Sequence, residues 1–381
     1  MMNQKEEHKC FRVGLAGCGN IAPMHTQALA ALPQVRLVGL ADPDREASQK
    51  LKSTIAAEDA PECYDSLADL LAAAKPDVVH ICTPHVEHVP LAVLALKHGC
   101  HVLMEKPPAI DLNGLSELSQ AVAASGRSLG ICFQNRFNAA SQQARTLLQS
   151  GLAGRVLAAR GFVTWNRDDA YYRQADWRGK WASEGGGVMI NQAIHTLDLL
   201  IWLAGRPTQV EGHIANRHLQ QTIEVEDTAE FLMTLENGAK ALFYATTAYS
   251  SDEPVFLEIR CEQFRIRLEG DQLVLFNAEG ELLTEEQQGR LLRLAADRVD
   301  ELRRTHPDTF PADPYQSKAD NLAASGKSCW GQGHSRLIGA FYQSLEEGRS
   351  FPVSLNEGSQ ALRVLLAVYE SHRRGTPVIL N

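Results

Sequence analysis

Over the first third of the chain, short apolar runs alternate with longer stretches of helical period. Residues 11–16, 35–41, 77–82, 102–104 and 128–133 read as strands buried on both faces. Between them, helical patterns cover 23–32, 44–57, 67–74 (with Ser66 as N-cap), 86–98 and 112–124. Strand and helix in alternation predict a parallel, doubly wound sheet. After an amphipathic helix ending at Gln149 and the breakers Ser150-Gly151 and Gly154-Arg155, the pattern changes. Residues 156–166, 223–235, 239–247, 255–261 and 264–268 are strands in succession, and the tight turn Glu236-Asn-Gly238 points to antiparallel pairing. The expected division is a first domain over 10–133 and an α+β domain over 134–381 with a large, mainly antiparallel open sheet. A C-terminal helix over 356–374 is expected to pack back on the first domain.

One stretch of the second domain is apolar almost all round. Residues 188–204 follow Glu184-Gly-Gly-Gly187 and predict a buried helix. At about 100° per residue, Asn191, His195, Asp198 and Trp202 share a stripe roughly 60° wide. Buried polar groups need partners, and a hydroxylated ligand would supply them; a lone core histidine is the plain alternative. Residues 285–304 form a charged helical stretch and 307–333 a Pro/Gly/Ser-rich loop, read as solvated surface or an oligomer contact. Trp330-Gly-Gln-Gly-His334 then opens a helix to Leu345. A histidine in a first turn is suited to hydrogen bonding while neutral, although a capping role fits the same geometry.

Composition narrows the class. With 381 residues, 44% hydrophobic and 22% charged, the chain is an ordinary globular protein of two domains. A net charge of −9 argues against nonspecific nucleic-acid binding. The polar start MMNQKEEHKC has no signal-peptide core, and 188–204 is too interrupted by polar residues to span a membrane. Eight scattered cysteines without a C-x-x-C pair read as reduced thiols in a cytoplasmic protein.

Two stretches carry candidate chemistry. The first strand runs into Gly17-Cys-Gly19-Asn20-Ile21-Ala22, and a helix follows. Glycines there tighten the turn and let the backbone approach a pyrophosphate, met by the helix N-terminus. The next strand closes on Asp42, placed to accept a ribose 2′-hydroxyl. That carboxylate favours NAD over NADP, with Arg45 nearby partly offsetting the repulsion of a 2′-phosphate. The fold class is therefore α/β, an N-terminal doubly wound parallel (Rossmann) sheet plus the α+β domain.

The second stretch is His101-Val-Leu-Met-Glu105-Lys106-Pro-Pro108. Its charged pair stands at the carboxyl end of a buried strand, where ligands of open α/β sheets sit. A lysine desolvated there can exchange protons near neutrality; a solvated strand end is the bland reading. His85/His88 and His98-Gly-Cys100-His101 lack three converging ligands, so no metal is expected. His88, on the first turn of its helix, is placed as a cofactor contact.

These residues resemble the glucose–fructose oxidoreductase / inositol dehydrogenase / rhizopine-catabolism (Gfo/Idh/MocA) family. The likeness runs from about Val13 to the C-terminus through Gly17-Cys-Gly19-Asn-Ile, Ala41-Asp42, Thr83-Pro84 with His88, Glu105-Lys106-Pro107, and Gly185-Gly-Gly187 through His195-x-x-Asp198. The resemblance implies hydride exchange between nicotinamide and a sugar or cyclitol carbon. Lys106 then contacts the substrate hydroxyl and assists proton transfer, and His195 is the base. Thr83 and Glu105 are implied near the cofactor, and Arg136, Trp177 and Arg178 near the nicotinamide–substrate junction. Asn166 and His334 are further substrate candidates. Inositol-dehydrogenase-like members carry Asp where this chain has Asn191, which shifts weight to Lys106 as proton acceptor and away from inositol. The Trp177-Arg178-Gly and Asn191-Gln192 pattern is more similar to branches acting on hexopyranosides.

Three functions follow. They are an NAD-dependent dehydrogenase of a sugar, glycoside or cyclitol, an NAD-dependent glycosidase working by transient oxidation, and a non-catalytic NAD-binding sensor. Retention of both Lys106 and His195 argues against the last. The implied partners are a small carbohydrate or cyclitol and a second copy of the chain in a homodimer or homotetramer, because an open sheet without covering helices exposes apolar area.

Overall fold

Six parallel strands build the first sheet: β1 (Phe11–Ala16), β2 (Val35–Ala41), β3 (Glu62–Tyr64), β4 (Val78–Ile81), β5 (His101–Met104) and β6 (Leu129–Ile131). Their order is β3-β2-β1-β4-β5-β6, so the chain reverses direction across the sheet between β1 and β4. The structure is a computed structural model and describes residues 10–310, 313, 315 and 333–380. Helices α1 (Ala22–Ala30), α2 (Arg45–Lys52), α3 (Leu67–Ala74), α4 (His88–Lys97) and α5 (Leu112–Ser125) flank the strands. The Ser66 side chain accepts the Asp69 N–H at 3.1 Å, the cap expected for α3. Strand β3 escaped the sequence reading because Glu-Cys-Tyr is too short to show a period.

The second sheet has eight strands in the order β13-β12-β11-β7-β10-β9-β8-β14. They are β7 (Val156–Thr164), β8 (Pro207–Ala215), β9 (Thr228–Leu235), β10 (Lys240–Thr246), β11 (Phe256–Cys261), β12 (Arg265–Glu269), β13 (Gln272–Phe276) and β14 (Val378–Ile379). All pairs are antiparallel except β7 with β10. Strand β9 starts five residues later than the apolar run suggests. The preceding residues form a turn in which the Asp227 carboxylate accepts the N–H groups of Arg217, His218 and Leu219.

One face of this sheet is covered by α6 (Ala139–Gln149), α8 (Ile194–Ala204) and α12 (Gln360–Arg374), and α9 (Glu285–Thr305) packs on α6. A short helix, α7 (Asp169–Arg173), follows β7. The loop expected over 307–333 lies mostly outside the described residues. Two elements join the sheets: α10 (Gly333–Glu346) packs on α1, and the turn α11 (Leu355–Gly358) meets β6. Helix α12 lies along β8 rather than on the first domain. Its buried residues Leu362, Leu365, Val368 and Tyr369 match that strand and α8, and the Tyr369 hydroxyl donates to Glu226 at 2.8 Å.

The helix expected over 188–204 is two pieces. Met189–Ala193 forms a π turn, and the α-helix begins only at Ile194. An extra residue per turn breaks the 100° step at Asn191, while His195, Asp198 and Trp202 keep it within the α-helix. Among the described residues no helix is long and apolar enough to cross a membrane.

Candidate functional site

The crevice opens at the carboxyl ends of β1 and β4. Gly17 has φ +89°, and a Cβ there would lie 2.6 Å from the Cys82 carbonyl group, so the turn after β1 requires glycine. Gly19 has nothing within 4 Å of a Cβ position and leaves its side open. Asn20 and Ile21 lead directly into α1. At the end of β2, Asp42 accepts the N–H groups of Cys18 (2.7 Å) and Asp44 (2.8 Å), which fixes its carboxylate beside the glycine turn. Open glycine backbone, a helix N-terminus and a fixed acid at this spacing fit a dinucleotide. Arg45 is turned elsewhere: it is exposed and 3.8 Å from Asp65.

Across the crevice, Lys106 ends β5, and its peptide bond to Pro107 is cis. Its Nζ donates to the Asn191 main-chain oxygen at 2.8 Å and lies 3.4 Å from Asn191 Oδ1. The π turn presents that carbonyl to the lysine. Burial lowers the Lys106 pKa, opposed by the charges of Glu105 and Glu184 and assisted by Arg178. His195 packs edge-on to Phe133, ring centroids 5.8 Å apart. Its Nδ1 is buried and has no partner among the described residues. Burial first, then the Lys106 charge, push its pKa down to about 3, so the ring is neutral in the working range. Lys106, Asn191 and His195 therefore form one group.

Other candidates from the sequence are engaged differently. Glu105 is buried and accepts from His25 Nε2 at 3.1 Å, with His334 Nε2 at 3.4 Å. Burial would raise its pKa, but hydrogen bonds from His25 and His334 outweigh that and hold it well below the usual carboxylate range. His334 is fully buried against Glu105 and also lies close enough to His195 to act on it electrostatically. His88 is a strut: Nδ1 lies 2.7 Å from Pro107 O and Nε2 3.0 Å from Thr83 O, so neither nitrogen is left for a cofactor. The Thr83 hydroxyl is buried without a partner among the described residues.

Arg136 is 1% exposed and clamped by Asp198, with Nε–Oδ2 at 2.7 Å and Nη2–Oδ1 at 2.6 Å. The pair satisfies the Asp198 carboxylate without a ligand. Trp202 likewise donates to the Tyr315 hydroxyl at 2.9 Å. Asn166 ties the end of β7 to the 248–252 turn: its Nδ2 donates to Tyr249 O, and its N–H to Asp252 Oδ1. Trp177 packs on His85 (4.9 Å), and Arg178 lies over the Tyr171 ring (4.2 Å) while donating to Tyr171 O.

A buried polar chain that no period or spacing announces runs from Glu105 through His25 and His80 to Tyr342. His25 Nδ1 and His80 Nδ1 share a hydrogen bond of 2.8 Å, and His80 Nε2 meets the Tyr342 hydroxyl at 2.9 Å. A histidine inside an otherwise apolar strand, as His80 is, was the available signal. His25, Glu105 and Cys132 are the one group among the described residues whose ligand atoms cluster closely enough, within 4.8 Å, to hold a metal ion. The histidines weighed above as metal ligands are different ones. Of these, His85 meets Glu184 O, His98 meets Leu94 O, and His101 accepts the Ser128 N–H. Glu184 and Glu226 were missed as well. Both are buried and both have pKa values raised to about 7, burial being the largest cause.

Known proteins are similar to this chain. Residues 11–133 match a family model described as "Oxidoreductase family, NAD-binding Rossmann fold", and residues 141–267 match "GFO/IDH/MocA C-terminal domain". Levoglucosan dehydrogenase from Pseudarthrobacter phenanthrenivorans is 27% identical over 392 residues, covering 95% of this chain and 96% of that protein. D-glucoside 3-dehydrogenase from Escherichia coli is 30% identical over 201 residues, 52% of this chain; the match spans only 55% of that relative. The WlbA dehydrogenase from Bordetella pertussis, solved with NADH and UDP-GlcNAcA, superposes with a TM-score of 0.80. It is 27% identical and the match covers 98% of both chains.

Proposed function

The chain belongs to the Gfo/Idh/MocA oxidoreductase family, and from that premise we propose a hydride transfer between NAD and a secondary alcohol or ketone carbon of a sugar, glycoside or cyclitol. The observation that carries this reading is Lys106 Nζ, anchored on the Asn191 carbonyl and close enough to act electrostatically on His195, whose Nδ1 has no partner among the described residues. NAD, when bound, supplies the hydride acceptor. Removal of the hydroxyl proton falls to the protein. Lys106, with its pKa lowered, takes the proton in the oxidising direction and returns it in the reducing one. A His195 with a pKa near 3 does not keep a proton. It orients the substrate hydroxyl through a hydrogen bond and passes the proton on. The names of the relatives, dehydrogenases of levoglucosan and of D-glucosides, support a carbohydrate substrate. A panel of sugars, methyl glycosides and inositols with NAD, read by NADH absorbance, tests the proposal. Absence of NADH from every member would sink it.

Cofactor choice rests on Asp42. A carboxylate held by two backbone N–H groups cannot swing away from a 2′-phosphate, and like charges at contact cost about 1–4 kcal/mol. NAD is expected to bind roughly tenfold or more tighter than NADP, and Asp42→Ala to narrow the gap. Titration of both cofactors by fluorescence checks this; equal or better NADP binding by the unmodified protein contradicts it.

Assembly is proposed on the uncovered face of the second sheet. Leu157, Leu232 and Leu242 are 44%, 42% and 45% exposed there, and Leu232 pairs with Leu242 across β9 and β10. Such an apolar face favours a homodimer or homotetramer. Light scattering is expected to give an oligomeric mass that Leu242→Glu reduces. A monomeric mass for the unmodified chain at micromolar concentration would rule the interface out.

A further inference from the structure

Glu184 closes the segment before Gly185–Gly187 and is 0% exposed. Its carboxylate accepts two hydrogen bonds, from Gly179 N and from Asn191 Nδ2, each 2.5 Å. Its main-chain oxygen meets His85 Nδ1, so the residue ties together three segments around the crevice. The orientation of the Asn191 amide follows. With Nδ2 committed to Glu184, Oδ1 is left facing Lys106 Nζ. The opposite orientation would set an amide oxygen against a carboxylate and an NH2 group against an amine, both repulsive when charged.

We propose that Glu184 is a positioning residue for Lys106, acting through Asn191: it turns the side-chain oxygen of Asn191 toward the amine, beside the main-chain oxygen that already holds it, and supplies a buried carboxylate charge that acts on the lysine. The proposal rests on the reading of Lys106 as the proton-exchanging group. Position 191 is a neutral amide, so the anionic partner of the lysine on this side comes from 184.

The electrostatics run the same way. Burial raises the Glu184 pKa to about 7, against the Gly179 and Asn191 hydrogen bonds, with Glu226 raising it further and Lys106 lowering it. Reciprocally, the Glu184 charge raises the Lys106 pKa against burial. The groups facing Glu184 are Lys106, Glu226, Tyr172, Tyr369 and His85, with Tyr171 reaching Asn191 and Arg178 acting on Lys106. Removing the 184 charge takes away support for the ammonium. The Lys106 pKa then falls, and the rise of alcohol oxidation with pH moves toward acid.

The test uses the full chain without cofactor. Reductive methylation of Lys106, which needs the neutral amine, is followed by mass spectrometry across pH. Glu184→Gln is expected to move the methylation midpoint down by about one pH unit, as loss of a nearby opposite charge should. Glu226→Gln, which has no bond to Asn191, should move it by less than half as much. If Glu184→Gln fails to fold, Asn191→Ala cuts the link while keeping the charge. It is expected to lower kcat by roughly tenfold with KM changed only slightly, the split expected of misplaced catalytic geometry. An unmoved midpoint in Glu184→Gln, an equal shift in Glu226→Gln, or native kcat in Asn191→Ala overturns the proposal. An unmodified protein that makes no NADH from any substrate would defeat the catalytic reading instead, and the methylation midpoint would still decide the role of Glu184.

Discussion

Lys106→Met is expected to cut sugar oxidation by about 10²–10⁴-fold while leaving NADH binding within a few-fold. Methionine keeps the unbranched stem and apolar volume, so the end of β5 should keep its path. What disappears is the amine that donates to the Asn191 carbonyl and exchanges the substrate proton. The pH dependence has a definite sign. Oxidation needs the neutral amine, so its rate should rise with pH through the Lys106 pKa, which burial has lowered. Ketone reduction needs the ammonium and should fall over the same range. His195→Ala is expected to cost less, roughly tenfold, because a ring with a pKa near 3 contributes a hydrogen bond more than a proton store. Stopped-flow and steady-state rates at saturating substrate check both variants. Near-native turnover in Lys106→Met would end the assignment, and an inactive His195→Ala beside a mildly impaired Lys106→Met would reverse the two roles.

What the sequence shows well is local. The turn after β1 demands glycine at 17, the Ser66 cap sits beside the helix it starts, and Lys106 ends a strand whose apolar run is continuous. Each of these signals lies within a few residues of its consequence. The partners that decide charge lie far apart. Arg136 and Asp198 are separated by 62 positions, and His25 and Glu105 by 80. No period or spacing links them, so the pairing of Arg136 with Asp198, and of Glu105 with His25 and His334, is not visible in the sequence. The stripe on 188–204 holds from His195 onward and departs at Asn191 for another reason. It assumed a uniform turn, and the π turn at Met189–Ala193 redirects Asn191 toward Lys106 and Glu184. Strands β3 and β14 are too short to register as patterns.

Asp198→Asn is expected to destabilise the protein by about 3–5 kcal/mol, the usual cost of stranding one charge of a buried pair. Both partners are about 1% exposed, and the guanidinium spans the carboxylate through two short bonds. Burial opposes the charge on Arg136, but Asp198 outweighs it and holds the pKa above its ordinary value. A guanidinium is too basic to give up its proton when the acid is removed, so a buried cation is left unpaired. Its remaining neighbours are weak substitutes. The Tyr315 hydroxyl is 3.4 Å away, and Glu357 is 3.9 Å away on a half-exposed side chain. A second cation makes matters worse: Arg145 lies 4.3 Å above the Trp202 ring that Arg136 also faces at 5.7 Å, and each disfavours the other. Replacing both charges, as Arg136→Met with Asp198→Leu, should recover most of the loss, because an apolar pair of similar volume needs no desolvation. Denaturant unfolding of the two variants measures this. Neither residue touches the Lys106–Asn191–His195 group, so kcat per folded molecule should stay within a few-fold. A stability loss below about 1 kcal/mol together with a collapse in kcat would instead return Arg136 to the substrate.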